Sequence, residues 1–358
     1  MRPLRVLDFG LQPALRTQAV YHGVATTMRM SDTPVLCLTS PREPYVCVGA
    51  HQNIEQEIDE EYCSAQGLPV VRRHVGGGAV YLDQHQLFFH FVYPEQHGLH
   101  LAQELYEVFI EPVVRTYRRF GIQAEMRPIN DIQVNGRKIG GTGAATFDFA
   151  IVMVGSFMFD FDAERMSRCL RVPSEKFRDK LYDSMRQYIT SFRRELGSLP
   201  EREEVKRVFL QEVESSLGVT PVPSRPTARE LKVINEWEQR LHDPDWNYRR
   251  GRRFVPGHVK ISANTHIAEA SHKAPGGLLR VRLLVRDERI VELELSGDFT
   301  CLPESGVEQL AEALIGAPLK GEGLRQCLSS ALAELQLDMP GVSQEDLLAV
   351  LYAAGGGV

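Results

Sequence analysis

Short β-branched and aromatic runs that return on themselves like hairpins, set among segments of helical period, mark this 358-residue chain as α+β. The expected sheet is mixed or antiparallel, because strands and helices do not alternate strictly. With 43% hydrophobic residues the chain can bury a large core. Its length suits a large domain over 1–254 and a small α+β domain over 255–358.

The elements follow in order. A short N-terminal strand precedes a helix over 13–28, and the runs 35–38 and 45–48, broken by Ser40-Pro41 and Gly49, read as paired strands. The acidic run Glu55 to Glu61 suits an exposed helix within 53–63, and a strand over 69–73 enters a glycine segment. LFFHFVY at 87–93 reads as a buried strand, 101–120 as a helix, and 129–134 and 149–161 as strand-rich. Helices are expected over 178–196 and 201–217, split by Gly197 to Pro200; three prolines between 221 and 226 end the second, and 227–241 is another helix. The segment 244–256 is polar and rich in arginine, and the domain boundary is placed there, near 255. Beyond it, 278–285 and 290–295 alternate around Arg286-Asp287-Glu288 as a hairpin, two helices follow near 306–315 and 322–335, and Gly355 to Gly357 are expected to fray.

A net charge of −6 removes the usual electrostatic reason to expect nucleic-acid binding. The N-terminus lacks the apolar stretch of a signal peptide and no run approaches a membrane span, so a cytoplasmic protein without a membrane partner is expected. Six cysteines without a C-x-x-C pair read as reduced thiols.

Chemistry concentrates in two segments. RRHVGGGAVY at 72–81 is neither a P-loop nor G-x-G-x-x-G, and a glycine triplet alone can be a bulge or turn. Some fifty residues on stand Asn130-Asp131 and Gly136-Arg137-Lys138-Ile139-Gly140-Gly141. Glycines let backbone N–H groups close on a ligand, and the cations neutralise what lies there, so together the segments suit an anionic, activated acyl group.

These motifs resemble the lipoate-protein ligase family, which shares its catalytic fold with biotin-protein ligases. RRHVGGGAVYLDQHQ, NDIQVNGRKIGGTG, VCVGAHQN at 46–53, GSFMFDFD at 155–162 with RVPSEKFRDK at 171–180, and LRVRLLVRDERIVELELSGDF at 279–299 are similar, in order, to five family segments. The last is similar to the accessory module of bacterial ligases. Departures stand at Leu82, His85-Gln86 and Val154-Gly155-Ser156, around the acyl pocket and adenylate loop.

The resemblance implies that lipoate and ATP form lipoyl-adenylate, which then acylates a lysine of a lipoyl-domain acceptor protein. It makes Lys138 the catalytic cation between α-phosphate and acyl carbonyl, and Arg73 a fork for phosphate or carboxylate oxygens. Gly76, Gly77, Gly78, Ala79, Val80 and Tyr81 wall the adenylate, with Asn130 and Asp131 beside them, and Asp131 holds Mg²⁺ or orients the nucleotide. A monomer is expected.

Plainer readings stand beside these: Lys138 as a turn lysine, Arg73 as a surface arginine, Asp131 as an Asx-turn residue and His74 as phosphate-facing or simply packed. The run Arg249, Arg250, Arg252 and Arg253 is a solvated linker or a patch for an acidic acceptor. Rival functions are an octanoyl or lipoyl transferase with a cysteine nucleophile, for which Cys169 is the candidate, and a non-catalytic lipoate-binding protein.

Overall fold

Strands from both ends of the first 223 residues join in one eight-stranded sheet. The computed structural model of the chain describes residues 2–95, 101–250, 259–262, 264–319 and 321–355. In chain order the first part contains β1 (Arg2–Gln12), α1 (Ala14–Thr27), β2 (Val35–Pro41), β3 (Tyr45–Val48), α2 (Ile54–Glu57), α3 (Glu60–Ala65), β4 (Val70–Arg72), β5 (Val80–Leu82) and β6 (Gln86–Pro94). Next come α4 (Ala102–Arg119), β7 (Glu125–Arg127), β8 (Asp131–Val134), β9 (Arg137–Phe147), β10 (Ala150–Met158), α5 (Ala163–Cys169), α6 (Glu175–Tyr188), α7 (Phe192–Leu196), α8 (Arg202–Leu217), β11 (Val219–Pro223), α9 (Ala228–His242) and α10 (Pro244–Asn247). The second part has β12 (Val259–Ser262), β13 (Thr265–Ala274), β14 (Gly277–Arg286), β15 (Arg289–Gly297), α11 (Gly306–Ala313), α12 (Glu322–Leu335) and α13 (Gln344–Ala354).

The large sheet runs β11-β1-β2-β6-β10-β9-β8-β7 and is mixed: β1 is parallel to β2 and β11, and the remaining pairs are antiparallel. One face packs on α4 and α8, around Phe89, Phe91, Phe109, Phe157 and Phe209. The other carries α1 and α9, around Val20, Val24, Ile234 and Trp237. A three-stranded sheet, β4-β3-β5, stands apart, and β12 to β15 form an antiparallel sheet whose core closes on α11, α12 and α13. No helix among the described residues is long and apolar enough to cross a membrane.

The fold is α+β, with a mixed sheet and a small antiparallel second part. Several elements differ from expectation. The runs 35–38 and 45–48 do not pair; β2 enters the large sheet and β3 the small one. The acidic helix splits into α2 and α3 because Ile58 leaves the helix to bridge Leu170, and Asp59 then caps α3 by accepting from Tyr62 N at 3.0 Å. The helix over 201–217 ends before the prolines, at left-handed Gly218, and Pro221 and Pro223 sit in β11, an edge strand, where a missing N–H costs little. The helix expected over 178–196 is two helices, α6 and α7, with a break at 189–191. β12, β13 and α13 are additional to the expected elements. The expected boundary near 255 and the tail glycines Gly356 and Gly357 lie outside the described residues.

Helix α1 is buried nearly all round, and Gly23 lets it lie directly on α9: a Cβ there would sit 2.6 Å from Ile234 N. Gly23→Ala is therefore expected to destabilise the chain by about 1–3 kcal/mol through overpacking, read from urea denaturation. An unchanged midpoint would remove this contact from the account of the fold.

Candidate active site

The lysine segment is a hairpin. Asn135 and Gly136, both with positive φ (50° and 76°), make the two-residue turn between β8 and β9. Just past it the register slips: Gln133 pairs with Lys138, but Ile132 pairs with Gly140, leaving Ile139 as the extra residue of a bulge. Ile139 drops into the core on the α4 face. The bulge thereby turns Lys138 to the opposite face, with Asp131, Gln133 and Gly141. There Lys138 Nζ donates to Asp131 Oδ1 at 2.7 Å.

That same face leads to the glycine segment. A Cβ on Gly141 would stand 3.0 Å from Lys138 Nζ, and one on Gly143 would stand 2.3 Å from Val75 Cγ1. Bare backbone therefore floors the track between Lys138 and the loop that follows β4. Asn130 stitches the entry to this floor: its amide donates to Thr142 O, while its own carbonyl accepts from Thr142 N at 3.0 Å and Oγ1 at 2.9 Å.

Two arginines build the glycine loop from beneath. Arg72 is fully buried, and its guanidinium donates to the carbonyls of Asn247, Gly49, Ala50 and Gln52. Arg73 donates from Nη1 to Cys47 O at 3.1 Å and from Nη2 to Gly76 O at 2.7 Å and Gly78 O at 2.8 Å. It is no loose surface arginine: its fork shapes the loop and places a charge under it. Beyond the triplet, Ala79 and Val80 lead to Tyr81, whose hydroxyl accepts from Arg165 Nη1 at 3.3 Å. Tyr81 lines a cavity of about 690 Å³ with Asp83, His85, Phe161, Tyr182 and Arg186. β5 is the edge of its sheet, so one row of its N–H and C=O groups has no strand partner. Burial raises the Asp83 pKa at the cavity wall.

The second part of the chain docks on the same loop. Gly77 N donates to Phe299 O at 3.2 Å, Gly297 N donates to His51 O at 2.9 Å, and the Phe299 ring stacks on His51 with centroids 5.1 Å apart. A Cβ on Gly76 would lie 2.7 Å from Phe299 O, so the triplet is also required for this docking. Glu304 pairs with Arg249 at 2.7 Å and Arg250 at 3.2 Å, and Arg250 reaches Glu308 at 2.6 Å. These two arginines are thus neither solvated nor open to an acidic partner; Arg252 and Arg253 lie outside the described residues. His74 is packed: its N donates to His22 Nε2 at 3.2 Å, its ring meets Phe147 at 4.5 Å, and burial lowers its pKa.

Residues 14–214 match the lipoyl protein ligase A/B catalytic domain, and residues 266–351 match the bacterial lipoate protein ligase C-terminus. The chain belongs to the lipoyl protein ligase family. It is 27% identical over 312 residues to lipoate-protein ligase LplJ of Bacillus subtilis, covering 87% of this chain and 88% of that protein. It is also 27% identical over 276 residues to octanoyltransferase LipM of Kyrpidia tusciae, covering 70% of this chain and all of that protein (100%). The archaeal bipartite lipoate protein ligase solved with its E2 lipoyl domain from Thermoplasma acidophilum shares the fold, with a TM-score of 0.63 at 24% identity over 71% of this chain and 98% of that one. The chain is accordingly an enzyme of the lipoate ligase and lipoyl transferase group.

In this family member no thiol stands ready at the site. Cys169 is fully buried, and its hydrogen bond with Cys63 and its burial push its thiol well up. Cys47, beneath the glycine loop, is also fully buried, and burial raises its thiol against the pull of Arg73. Among the described residues no three His, Cys, Asp or Glu side chains gather as a metal site.

Motif reading missed the residues that approach Lys138 from α6. Ile189 bridges Lys138, and Thr190 N donates to Lys138 O at 2.8 Å. Tyr188 Oη accepts from Gln133 Nε2 at 2.8 Å. No spacing in the sequence links position 188 to 133.

Burial alone would raise the Glu304 pKa, but His74, Arg249, His51 and Arg250 hold it below the ordinary value. A depressed carboxyl stabilises the fold above the ordinary carboxylate range and loses that contribution as pH falls through the depressed value. Glu304→Ala, which strips Arg249 of its partner and leaves Arg250 only Glu308 as a carboxylate partner, is expected to cost about 3 kcal/mol in urea unfolding at neutral pH. Its difference from the wild type should narrow on acidification, and a difference constant with pH would mean that the charge is not responsible.

Proposed function

We propose that this chain is an ATP-dependent lipoate-protein ligase. In the first step a carboxylate oxygen of lipoate attacks the α-phosphorus of ATP, and the bond to pyrophosphate breaks. In the second the ε-amine of an acceptor lysine attacks the acyl carbonyl, an amide forms, and AMP leaves with the electron pair of the cleaved C–O bond. The acceptor is a lipoyl-domain protein. Residues 1–254 form the catalytic part and 255–358 the accessory part.

The observation that carries this reading is the face shared by Lys138, Gly141 and Gly143 with the Arg73-supported glycine loop. Lys138 places a cation where negative charge grows on phosphate and carbonyl oxygens, and a fixed charge there lowers both barriers. Arg73 acts through the loop, its positive field lying under Gly76 to Gly78. The unpaired edge of β5 suits the donor and acceptor edge of adenine, whereas the cavity beside Tyr81, lined by Asp83, Asp160, Asp162 and Glu164, does not suit phosphates. Asp131 offers one carboxylate already paired with Lys138, which fits Mg²⁺ only as an ion carried largely by phosphate and water. Such an ion neutralises phosphate charge when bound.

The similarity to octanoyltransferase LipM favours a second reading, acyl transfer from an octanoylated carrier through a thiolate. Against it stand the buried, raised thiols and the match of the second part to a ligase C-terminus. Incubating the protein with lipoate, Mg²⁺ and a lipoyl domain, with and without ATP, and weighing the acceptor decides between them. ATP-dependent mass gain is expected; gain without ATP from an octanoylated carrier protein would establish the transferase.

Lys138→Ala should lower lipoyl-adenylate formation by about 10²–10³-fold, the size found for removing one charge-stabilising donor. Near-normal pyrophosphate release would take Lys138 out of the mechanism. Cys169→Ala should leave ligation unchanged, and a large loss would restore the thiol pathway.

A further inference from the structure

Two residues with no part in the proposed chemistry stand over Lys138. Gln133 is the direct cross-strand partner of Lys138 and lies two residues beyond Asp131, so all three side chains share one face. Gln133 is buried, accepts from Arg127 Nη1 at 3.3 Å and donates to Tyr188 Oη at 2.8 Å. Tyr188 ends α6, a helix without a single buried residue. Its hydroxyl is tied to the partner of Lys138, and the two residues after it are tied to the Lys138 backbone. Yet the residue is 45% exposed.

A ring fixed at both ends and left half in water is a recognition element more than a packing one, since a tethered tyrosine offers rigid apolar area at little entropic cost. It is not a wall of the cavity beside Tyr81. Tyr182 and Arg186 face that cavity, and two further residues of helix turn Tyr188 about 200° away. What must approach Lys138 from solvent in the proposed reaction is the acceptor lysine, four methylenes ending in an amine. An aromatic face takes the methylenes by apolar contact and the amine, while still charged, by attraction to the ring.

We propose that Tyr188, held by Gln133, is a positioning residue that guides the stem of the acceptor lysine toward the acyl-adenylate; this rests on the ligase reading above. The test uses the full-length protein with Tyr188→Ala, Tyr188→Phe and Gln133→Leu. Three quantities are read: lipoate-dependent ATP–pyrophosphate exchange, capture of the acyl-adenylate by hydroxylamine, and KM and kcat for transfer to a lipoyl domain.

Tyr188→Ala should raise the acceptor KM about tenfold, as loss of one contact residue does, while exchange and hydroxylamine capture stay at wild-type rates. Tyr188→Phe and Gln133→Leu, which keep the ring but free it, should give smaller rises in the same quantity. Equal losses in exchange and transfer would overturn the proposal, because they would show a general structural role, and so would an unchanged acceptor KM. If the wild type shows no exchange, the ligase reading alone falls. Tyr188→Ala is then read in transfer from an octanoylated carrier to the same acceptor, where an unchanged KM overturns the role and a raised one sustains it.

Discussion

One buried cation organises the site. Arg72 has no exposed surface, and the carbonyls of Gly49, Ala50, Gln52 and Asn247 receive its guanidinium. A guanidinium taken out of water needs partners, and here backbone dipoles from two separate segments receive its Nε and Nη1, while Nη2 has no hydrogen-bond partner among the described residues. Those segments are the stretch after β3 and α10, whose Trp246 returns a bond to Arg72 O at 2.9 Å. The glycine loop grows directly from this knot, and a Cβ on Gly49 would strike Gly77 O at 1.9 Å. The loop that meets ligand in the proposed reaction is therefore positioned from below, before any ligand arrives.

The same loop carries two tasks that compete for few atoms. Its glycines bring Val75 against Gly143 on one side and let Phe299 O reach Gly77 N on the other. That second contact explains the absence of side chains at Gly76 as well as ligand binding would, so the triplet alone cannot establish chemistry. What separates the two is Lys138, which has no part in docking the second domain. Its place depends on the bulge at Ile139, for without that extra residue the strand period would send Lys138 into the α4 core.

Much of this was legible in the chain. Fold class, the main helices and the pairing of RRHVGGGAVY with NGRKIGG follow from period, turn residues and motif order, all of which are local signals. The roles of Arg249 and Arg250 were not legible, because a basic run looks solvated until Glu304 and Glu308, more than fifty residues on, are brought against it. The bulge left no mark either: it is a register event, visible only once β8 and β9 are paired. The edge strand β11 hid behind its prolines, and Tyr188 behind a helix pattern that ran through it.

The choice between phosphate and thiol activation turns on exposure and charge. A thiolate carrier needs an accessible sulfur whose anion is favoured by its surroundings. Cys47 comes nearest, lying under the loop beside Arg73, yet burial outweighs the arginine and its sulfur has no exposed surface. Cys169 is hydrogen-bonded to Cys63 inside an apolar cluster where α3 and α5 pack on β3, α2 and β5. The cations, by contrast, converge: Arg73 lies beneath the glycine loop, and Lys138 reaches the same face with its side chain a third exposed (33%). A site that withholds its thiols and presents a partly open ammonium beside bare backbone is built to receive negative charge. On the proposed ligase reading an acyl phosphate anhydride carries that charge from the start, whereas a thioester develops it only on its carbonyl oxygen during attack.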